Sequence, residues 1–420
     1  MLRRIEVLSY KCLRYIQQEL APFHILVGPN ASGKSSFLDV LVFLQDMLRN
    51  GVERAVRKRA RTVRELTWQM QSDYFEVAVE FSLPEAIHRA SSTPGHEAIR
   101  YEARVGVDTP RGGVTLLVEN LWLQRAGQHN GSRTAKTPLL FPGLHPAPAK
   151  IVVESRERTP PGRRKVMSRT PDGRIYFRSE TTDWNFPLRP MREQAGLTLI
   201  PDEERFPASF WLQRTLLEGV RFLMLNSRAM REPCPPDAPE QFQLDGSNLP
   251  IVVDRLAQKH SERFNQWIAH VQTVLPEVKT IRVEERPEDR YRYLVMETFQ
   301  GTRIPSWLLS DGTLRFLALT LLPYIVETHE IYIIEEPENG IHPRAIEAVY
   351  QSLSSVYAGQ VLCATHSPIL LNLAQPDNLL CFSRDNEGAT EVVRGDQHPR
   401  LKAWRKEVAL GDLLASGVLG

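Results

Sequence analysis

The chain has 420 residues, 42% of them hydrophobic, with 52 Lys and Arg against 50 Asp and Glu. That length accommodates two or three domains and a sizeable core, and the balanced charge excludes a uniformly basic or acidic body, so polyanion binding has to come from local clusters. No uninterrupted apolar run approaches the roughly 20 residues of a bilayer span. The start, Met1-Leu-Arg-Arg-Ile-Glu, has no apolar signal core, and Cys12, Cys234, Cys363 and Cys381 lie far apart with no C-x-x-C pair; a cytoplasmic protein with reduced thiols, no zinc site and no membrane contact is expected.

Residues 4–9, 15–20 and 23–27 predict three short strands. The third runs into Gly28-Pro29-Asn30-Ala31-Ser32-Gly33-Lys34-Ser35-Ser36, which fits the phosphate-binding pattern G-x-x-x-x-G-K-[ST]. A helical pattern over 35–48 follows. In this strand–loop–helix setting the glycines let backbone N–H groups turn inward, and the helix N-terminus adds a positive dipole end. Lys34 is then placed to reach the β- and γ-phosphates of a nucleotide, and Ser35 to bind Mg²⁺.

Residues 51–65 are strongly basic. On a helix, Arg54, Arg57, Lys58 and Arg61 share one face by i, i+3, i+4 spacing, a surface for DNA or RNA phosphates or simply a solvated face. Residues 74–83 alternate as a strand, with Phe75, Val77, Val79 and Phe81 on one side and Glu76 and Glu80 on the other. Further strands over 99–107 and 114–123 give an antiparallel meander beside the phosphate loop. Residues 124–200 turn rich in Gly, Pro, Arg, Ser and Thr, with strand-like pieces at 151–154 and 173–179, and read as an inserted subdomain with long loops. A second basic cluster sits there: Arg156, Arg158, Arg163, Arg164, Lys165, Arg169, Arg174 and Arg178, near Tyr176 and Phe177. Nucleic acid, an acidic partner or solvent are its alternative occupants. Downstream, 209–226 predicts a helix then a strand, 251–275 helices, and 279–285 with 291–299 a hairpin. No long heptad repeat occurs, which excludes long coiled-coil arms.

Residues 306–367 hold three more elements. Leu309-Ser310-Asp311-Gly312-Thr313 opens a helix over 314–322; its Ser-x-Gly step both caps the helix and, with the dipole and free N–H groups, makes an anion site. The apolar strand 331–334 ends in Glu335-Glu336-Pro337-Glu338. A carboxylate there can hold the Mg²⁺ shell, and the next can orient or deprotonate the attacking water; Glu335 takes the first role and Glu336 the second. The strand over 361–364 leads to Thr365-His366-Ser367, with His366 placed to contact the γ-phosphate and the water. Two γ-phosphate sites in one chain point to action on another chain's nucleotide. The apolar tail 409–420, after Trp404 and Arg405, is expected to dock on the chain's own body or on a partner.

These motifs resemble, in order, the Walker A, signature, Walker B and switch-histidine motifs of ABC-type ATPases. Ile333-Ile-Glu-Glu-Pro-Glu-Asn-Gly-Ile-His-Pro343 and Thr365-His-Ser-Pro368 are similar to the RecF/SMC-like and OLD-like branch, the AAA family ATPases, over 1–85 and 210–385. The resemblance implies an α/β P-loop ABC-type head, with a mixed sheet, helices and an antiparallel β subdomain. The chain would divide into 1–89 (head with Walker A), 90–208 (inserted strand and loop subdomain), 209–385 (remainder of the head) and 386–420 (tail). It implies ATP and Mg²⁺ as ligands and two ATP molecules sandwiched between two copies of the chain. Each site would pair the phosphate loop, Glu335, Glu336 and His366 of one copy with Ser310, Asp311 and Gly312 of the other, with 339–342 crossing the interface. Glu335 stands where ABC ATPases usually carry Asp, and Gln69 or Gln71 would supply the Q-loop. About fifty residues follow His366, too few for the TOPRIM nuclease domain of OLD proteins. A separately encoded effector, commonly a nuclease in antiphage defence or toxin–antitoxin systems, is therefore implied. The alternatives are a RecF-like DNA repair ATPase and an ATP-binding scaffold with negligible turnover.

Overall fold

The computed structural model describes residues 1–90, 95–108, 112–125, 147–155, 157–191, 193–325, 330–402 and 409–415. Arg156, Trp404, Arg405 and the last five residues lie outside them.

Three sheets organise the chain. The first is antiparallel throughout: β1 (Leu2–Tyr10), β2 (Leu13–Glu19), β4 (Tyr74–Ser82), β5 (His96–Val107), β6 (Val114–Arg125), β7 (Arg163–Arg169), β8 (Ile175–Arg178) and β9 (Asn185–Leu188), in the order β2-β1-β4-β5-β6-β7-β8-β9. The second has β3 (Phe23–Val27), β10 (Val220–Leu223), β14 (Ile331–Glu335), β15 (Gln360–Ala364), β16 (Leu379–Arg384) and β17 (Thr390–Arg394) in the order β10-β14-β15-β3-β16-β17, parallel except for β17. The third is the small meander β11 (Val278–Glu285), β12 (Arg292–Thr298) and β13 (Arg303–Pro305). Strands drawn from 96–188 thus extend the sheet begun by β1, β2 and β4.

Side-chain alternation sets the layers. Helix α1 (Lys34–Asn50) buries Phe37, Leu41, Phe43 and Leu44 between the antiparallel sheet and one face of the parallel sheet, which offers Leu26, Ile333, Leu362 and Phe382. The neighbouring residues Ile25, Val27, Ile334, Cys363 and Cys381 point to the opposite face and pack under the helices Leu249–Lys259, Asp311–Leu321 and Ile346–Ser354. Strands covered on both faces read as continuous apolar runs, as β3 and β15 do. The longest described helix is α1 at 17 residues, so there is no long coiled coil among the described residues, and no described helix is long and apolar enough to cross a membrane.

His24 shows how tightly β3 is built in. It is fully buried; its Nε2 accepts from the Ala21 amide at 2.8 Å, leaving Nδ1 to donate to the Asn378 carbonyl at 3.2 Å. Burial pushes its pKa down to about 4. The unfolded chain therefore binds a proton between about pH 6.5 and 4 that the folded chain refuses, so stability falls as pH drops through that window, by about 3 kcal/mol in all. Denaturant midpoints of wild type and His24→Gln between pH 7 and 4 should converge as the pH falls.

One expectation is corrected. Residues 151–154 form no strand. They cross the charged face of the antiparallel sheet as a strap: the Ile151 and Val152 amides donate to Glu76 Oε2, the Val153 amide donates to Glu102 Oε2, and the Asn120 side chain donates to the Val153 carbonyl. Glu76 and Glu80, on the face opposite Phe75, Val77, Val79 and Phe81 as expected, are buried, Glu76 beneath the strap and Glu80 beside Arg4. Arg104 pairs with Glu76 at 2.6 Å, and Arg100 with Glu6 at 2.6 Å and Glu102 at 2.8 Å. The tail docks on its own chain as far as it is described: Leu410 is buried, and the Gly411 amide donates to Asn372 on the helix Pro368–Leu373.

Candidate nucleotide site

Parallel strands leave their carboxyl ends at one edge, where loops collect ligands. There β3 runs into the phosphate loop, β14 into Glu335 and Glu336, and β15 into Thr365 and His366. Since β15 lies between β3 and β14, segments about 300 residues apart meet. Ser35 donates to Glu335 Oε1 at 2.6 Å.

Within the loop, Gly28, Ser32, Gly33 and Lys34 are buried, Pro29, Asn30, Ala31 and Ser35 are exposed, and Ser36 is half-buried. Gly28 has φ +152, and a Cβ on it would come within 2.2 Å of the Phe382 carbonyl oxygen, so the chain passes β16 only because the residue is glycine. Gly33 provides the N-cap of α1 with no side-chain cap, so the orphan N–H groups of the first turn are left for an anion. Lys34 bends back to donate to the Gly28 and Pro29 carbonyls at 2.7 and 2.9 Å. Burial lowers its pKa to about 8 against the opposing pull of Glu335 and Glu336. The Ser32 hydroxyl is buried without a hydrogen-bond partner. An uncapped helix start, an orphaned hydroxyl and a carboxylate on the Ser35 hydroxyl fit a nucleotide's phosphates with Mg²⁺, whose oxygen ligands Ser35 and Glu335 would be.

Glu336 lies one residue past β14 with φ +48, a conformation costing a non-glycine residue about 1–3 kcal/mol. Its amide donates to the Ala364 carbonyl at 2.8 Å, and its carboxylate accepts from the Asn339 side chain. His366 is half-buried. Burial first and Lys34 second lower its pKa, opposed by Glu336 and Glu338.

Ser310 is the N-cap of the helix Asp311–Leu321 and accepts from the Thr313 amide at 3.1 Å, while Ser310 and Asp311 remain exposed. Arg231 fixes this corner by donating to the Leu309 carbonyl and pairing with Asp311 at 2.6 Å. Arg315 on the same helix donates to the Asn339 carbonyl at 2.9 Å. The signature segment is thus braced against the turn that holds Glu336.

The basic candidates separate. Arg54 and Arg57 lie on helix α2 (Val52–Arg57), which ends there; Arg61 is beyond it, so no continuous helical face joins the four. Arg57 pairs with Glu53 and Lys58 with Asp46. Arg163 pairs with Glu102 at 3.2 Å, Arg164 donates to the Ser179 and Glu180 carbonyls, and the Lys165 ammonium lies 4.8 Å from the Trp122 ring centroid. Gln69 and Gln71 are exposed, and Gln69, at φ +50, donates to the Glu387 carbonyl at 3.3 Å.

Three contributors carried no signal of their own in the sequence: Arg231, Thr390, which donates to the Ser32 carbonyl at 2.9 Å, and Arg59; Asn339 was expected at the interface and instead holds Glu336. Arg59 stood in the basic run, yet it is mostly buried and grips both Asp39 and Asp46 of α1 at 2.8 Å. Arg59→Ala leaves Asp39 with Lys11 and Asp46 with Lys58 as remaining cations and should cost about 1–3 kcal/mol, read as a lower denaturation midpoint.

Three solved structures align with this chain over most of their length. The Smc head bound to the C-winged helix domain of ScpA is 14% identical, with 93% of this chain and 97% of that one aligned at a TM-score of 0.52, a likeness of fold. The Smc head with an extended coiled coil bound to the C-terminal domain of ScpA, derived from Pyrococcus furiosus, gives 13%, 93%, 95% and 0.47. The SMC head domain from Thermotoga maritima gives 11%, 94%, 98% and 0.43. No curated protein matches. The family described as AAA domain, putative AbiEii toxin, type IV TA system matches residues 23–372, and with that span the chain belongs to that family, in the fold of an Smc head.

Proposed function

We propose that the protein binds ATP with Mg²⁺, hydrolyses it slowly, and uses it as a switch between one copy and two, controlling a separately encoded effector such as a nuclease. The observation that carries this is the 2.6 Å bond from Ser35 to Glu335 with Glu336 one residue on: phosphate loop and acidic pair form one site. Mg²⁺, when bound by Ser35 and Glu335, supplies charge neutralisation at the β- and γ-oxygens. Lys34 leaves the loop carbonyls for the phosphates, and the first amides of α1 hold the phosphate oxygens. Glu336, steadied by Asn339, orients the attacking water and takes its proton. His366 donates to the γ-phosphate. Ser310 and the amides after it, exposed on the far side, are the groups one copy offers to the other's γ-phosphate. Closing the pair then depends on ATP, and hydrolysis removes those contacts.

The self-pairing of Arg163, Arg164 and Lys58 favours a protein effector over a nucleic acid gripped by those residues. The test is mass analysis with ATP and Mg²⁺, alone, with the product of the adjacent gene, and with duplex DNA. ATP-dependent pairing that recruits the neighbour supports the reading. A monomer that ignores ATP overturns it, and salt-sensitive, ATP-dependent DNA binding selects the repair alternative.

A further inference from the structure

We propose that Glu338 is a positioning residue for the reaction: it fastens the loop that carries His366 and stabilises the protonated imidazole against the γ-phosphate. The inference rests on the ATPase reading above.

Glu338 sits in the turn after β14 and is only partly accessible. Its Oε1 accepts from the Thr365 hydroxyl at 2.6 Å and from the His366 amide at 3.3 Å, so one oxygen ties together the two residues that follow β15. The Thr365 hydroxyl also accepts from the Ser367 amide at 2.9 Å, closing a small knot around His366. Oε2 of Glu338 is buried without a hydrogen-bond partner. A carboxylate used only as a brace would satisfy both oxygens, because an unpaired charged oxygen is costly to bury. The charge, shared by both oxygens, sits against the loop that carries His366.

Three charged groups act on the imidazole. Lys34, at the start of α1, disfavours its proton, while Glu336 and Glu338, both from the turn after β14, favour it; burial adds to the effect of Lys34. Glu336 is already engaged by Asn339 and has the water to serve. Glu338, which accepts from the His366 amide, is the carboxylate fixed to the histidine's own loop. The same turn supplies Asn339 to Glu336, so adjacent residues, Glu338 and Asn339, hold the two reacting groups.

The experiment uses the full chain with ¹⁵N-labelled histidine and no nucleotide. The His366 signal is assigned by its disappearance in His366→Gln and titrated in wild type and Glu338→Gln. The expected result is a His366 pKa lower by roughly half a unit or more in Glu338→Gln. At saturating ATP and Mg²⁺, Glu338→Gln should lower kcat about tenfold with KM nearly unchanged, and should add nothing in a His366→Gln background. An unmoved His366 titration in folded Glu338→Gln, or losses that multiply in the double variant, overturns the proposal. Should Glu338→Gln not fold, Glu338→Asp keeps the charge on a shorter stem; a smaller shift and a partial loss support the proposal, and values identical to wild type overturn it. If wild type turns out not to hydrolyse ATP, the ATPase reading fails, while the nucleotide-free titration still decides whether Glu338 acts on His366.

Discussion

Glu336→Gln should retain ATP and lose its hydrolysis, by about 10²–10⁴-fold, the usual contribution of a general base. The amide keeps the side chain's shape and can still meet Asn339, so binding survives while proton acceptance does not. On the proposed switch, in which hydrolysis opens the pair, the variant should also accumulate as an ATP-bound assembly of twice the mass. Two measurements check this: phosphate release at saturating ATP, and mass distribution with and without Mg²⁺. A turnover rate equal to wild type would place the reaction elsewhere, or leave the protein as a scaffold whose acids only hold nucleotide.

Gly312→Ala is expected to separate binding from turnover in another way. A Cβ on Gly312 would lie 2.2 Å from the Gly340 carbonyl oxygen, a backbone atom that cannot rotate aside. The helix Asp311–Leu321 and the turn at 338–341 must then part. That turn bears Asn339, which steadies Glu336, and its carbonyl receives Arg315. A displacement on the order of 1 Å there costs about 10²-fold in rate. The phosphate loop is not in this contact, so the affinity for ATP should change less than threefold or so. Equilibrium binding of a fluorescent ATP analogue, beside the hydrolysis rate, reads both; a wild-type rate would mean the two segments are not mechanically joined.

That the phosphate loop, Glu335, Glu336 and His366 gather at one sheet edge was legible because each lies in a short run in which chemistry restricts residue type. Buried strands were legible for a related reason: β3, β14 and β15 must be apolar on both faces. What the sequence could not tell was which charges face inward. Glu76, Glu80, Arg100 and Glu102 alternate with apolar residues as a solvated face does, but the 151–154 strap and their mutual ion pairs bury them. Arg59 hid in a basic run for the same reason, since only folding reveals that Asp39 and Asp46 stand opposite it. Thr390 was invisible because its role, holding the Ser32 carbonyl, depends on β17 returning beside a loop 358 residues away.

The position of β3 has a consequence for synthesis. It is among the first segments made, yet both its hydrogen-bonded neighbours, β15 and β16, begin after residue 359. At about 5–20 residues per second of translation, the apolar run Phe23–Val27 waits roughly 20–70 s for a partner on either side. Over that interval the phosphate loop has no β16 to lean on and no Glu335 to meet. A nascent chain arrested before residue 330 should therefore fail to retain ATP despite carrying a complete glycine–lysine–serine loop, and its first strands depend on the antiparallel sheet, whose strands all precede residue 190, to keep them from aggregating until the last third arrives.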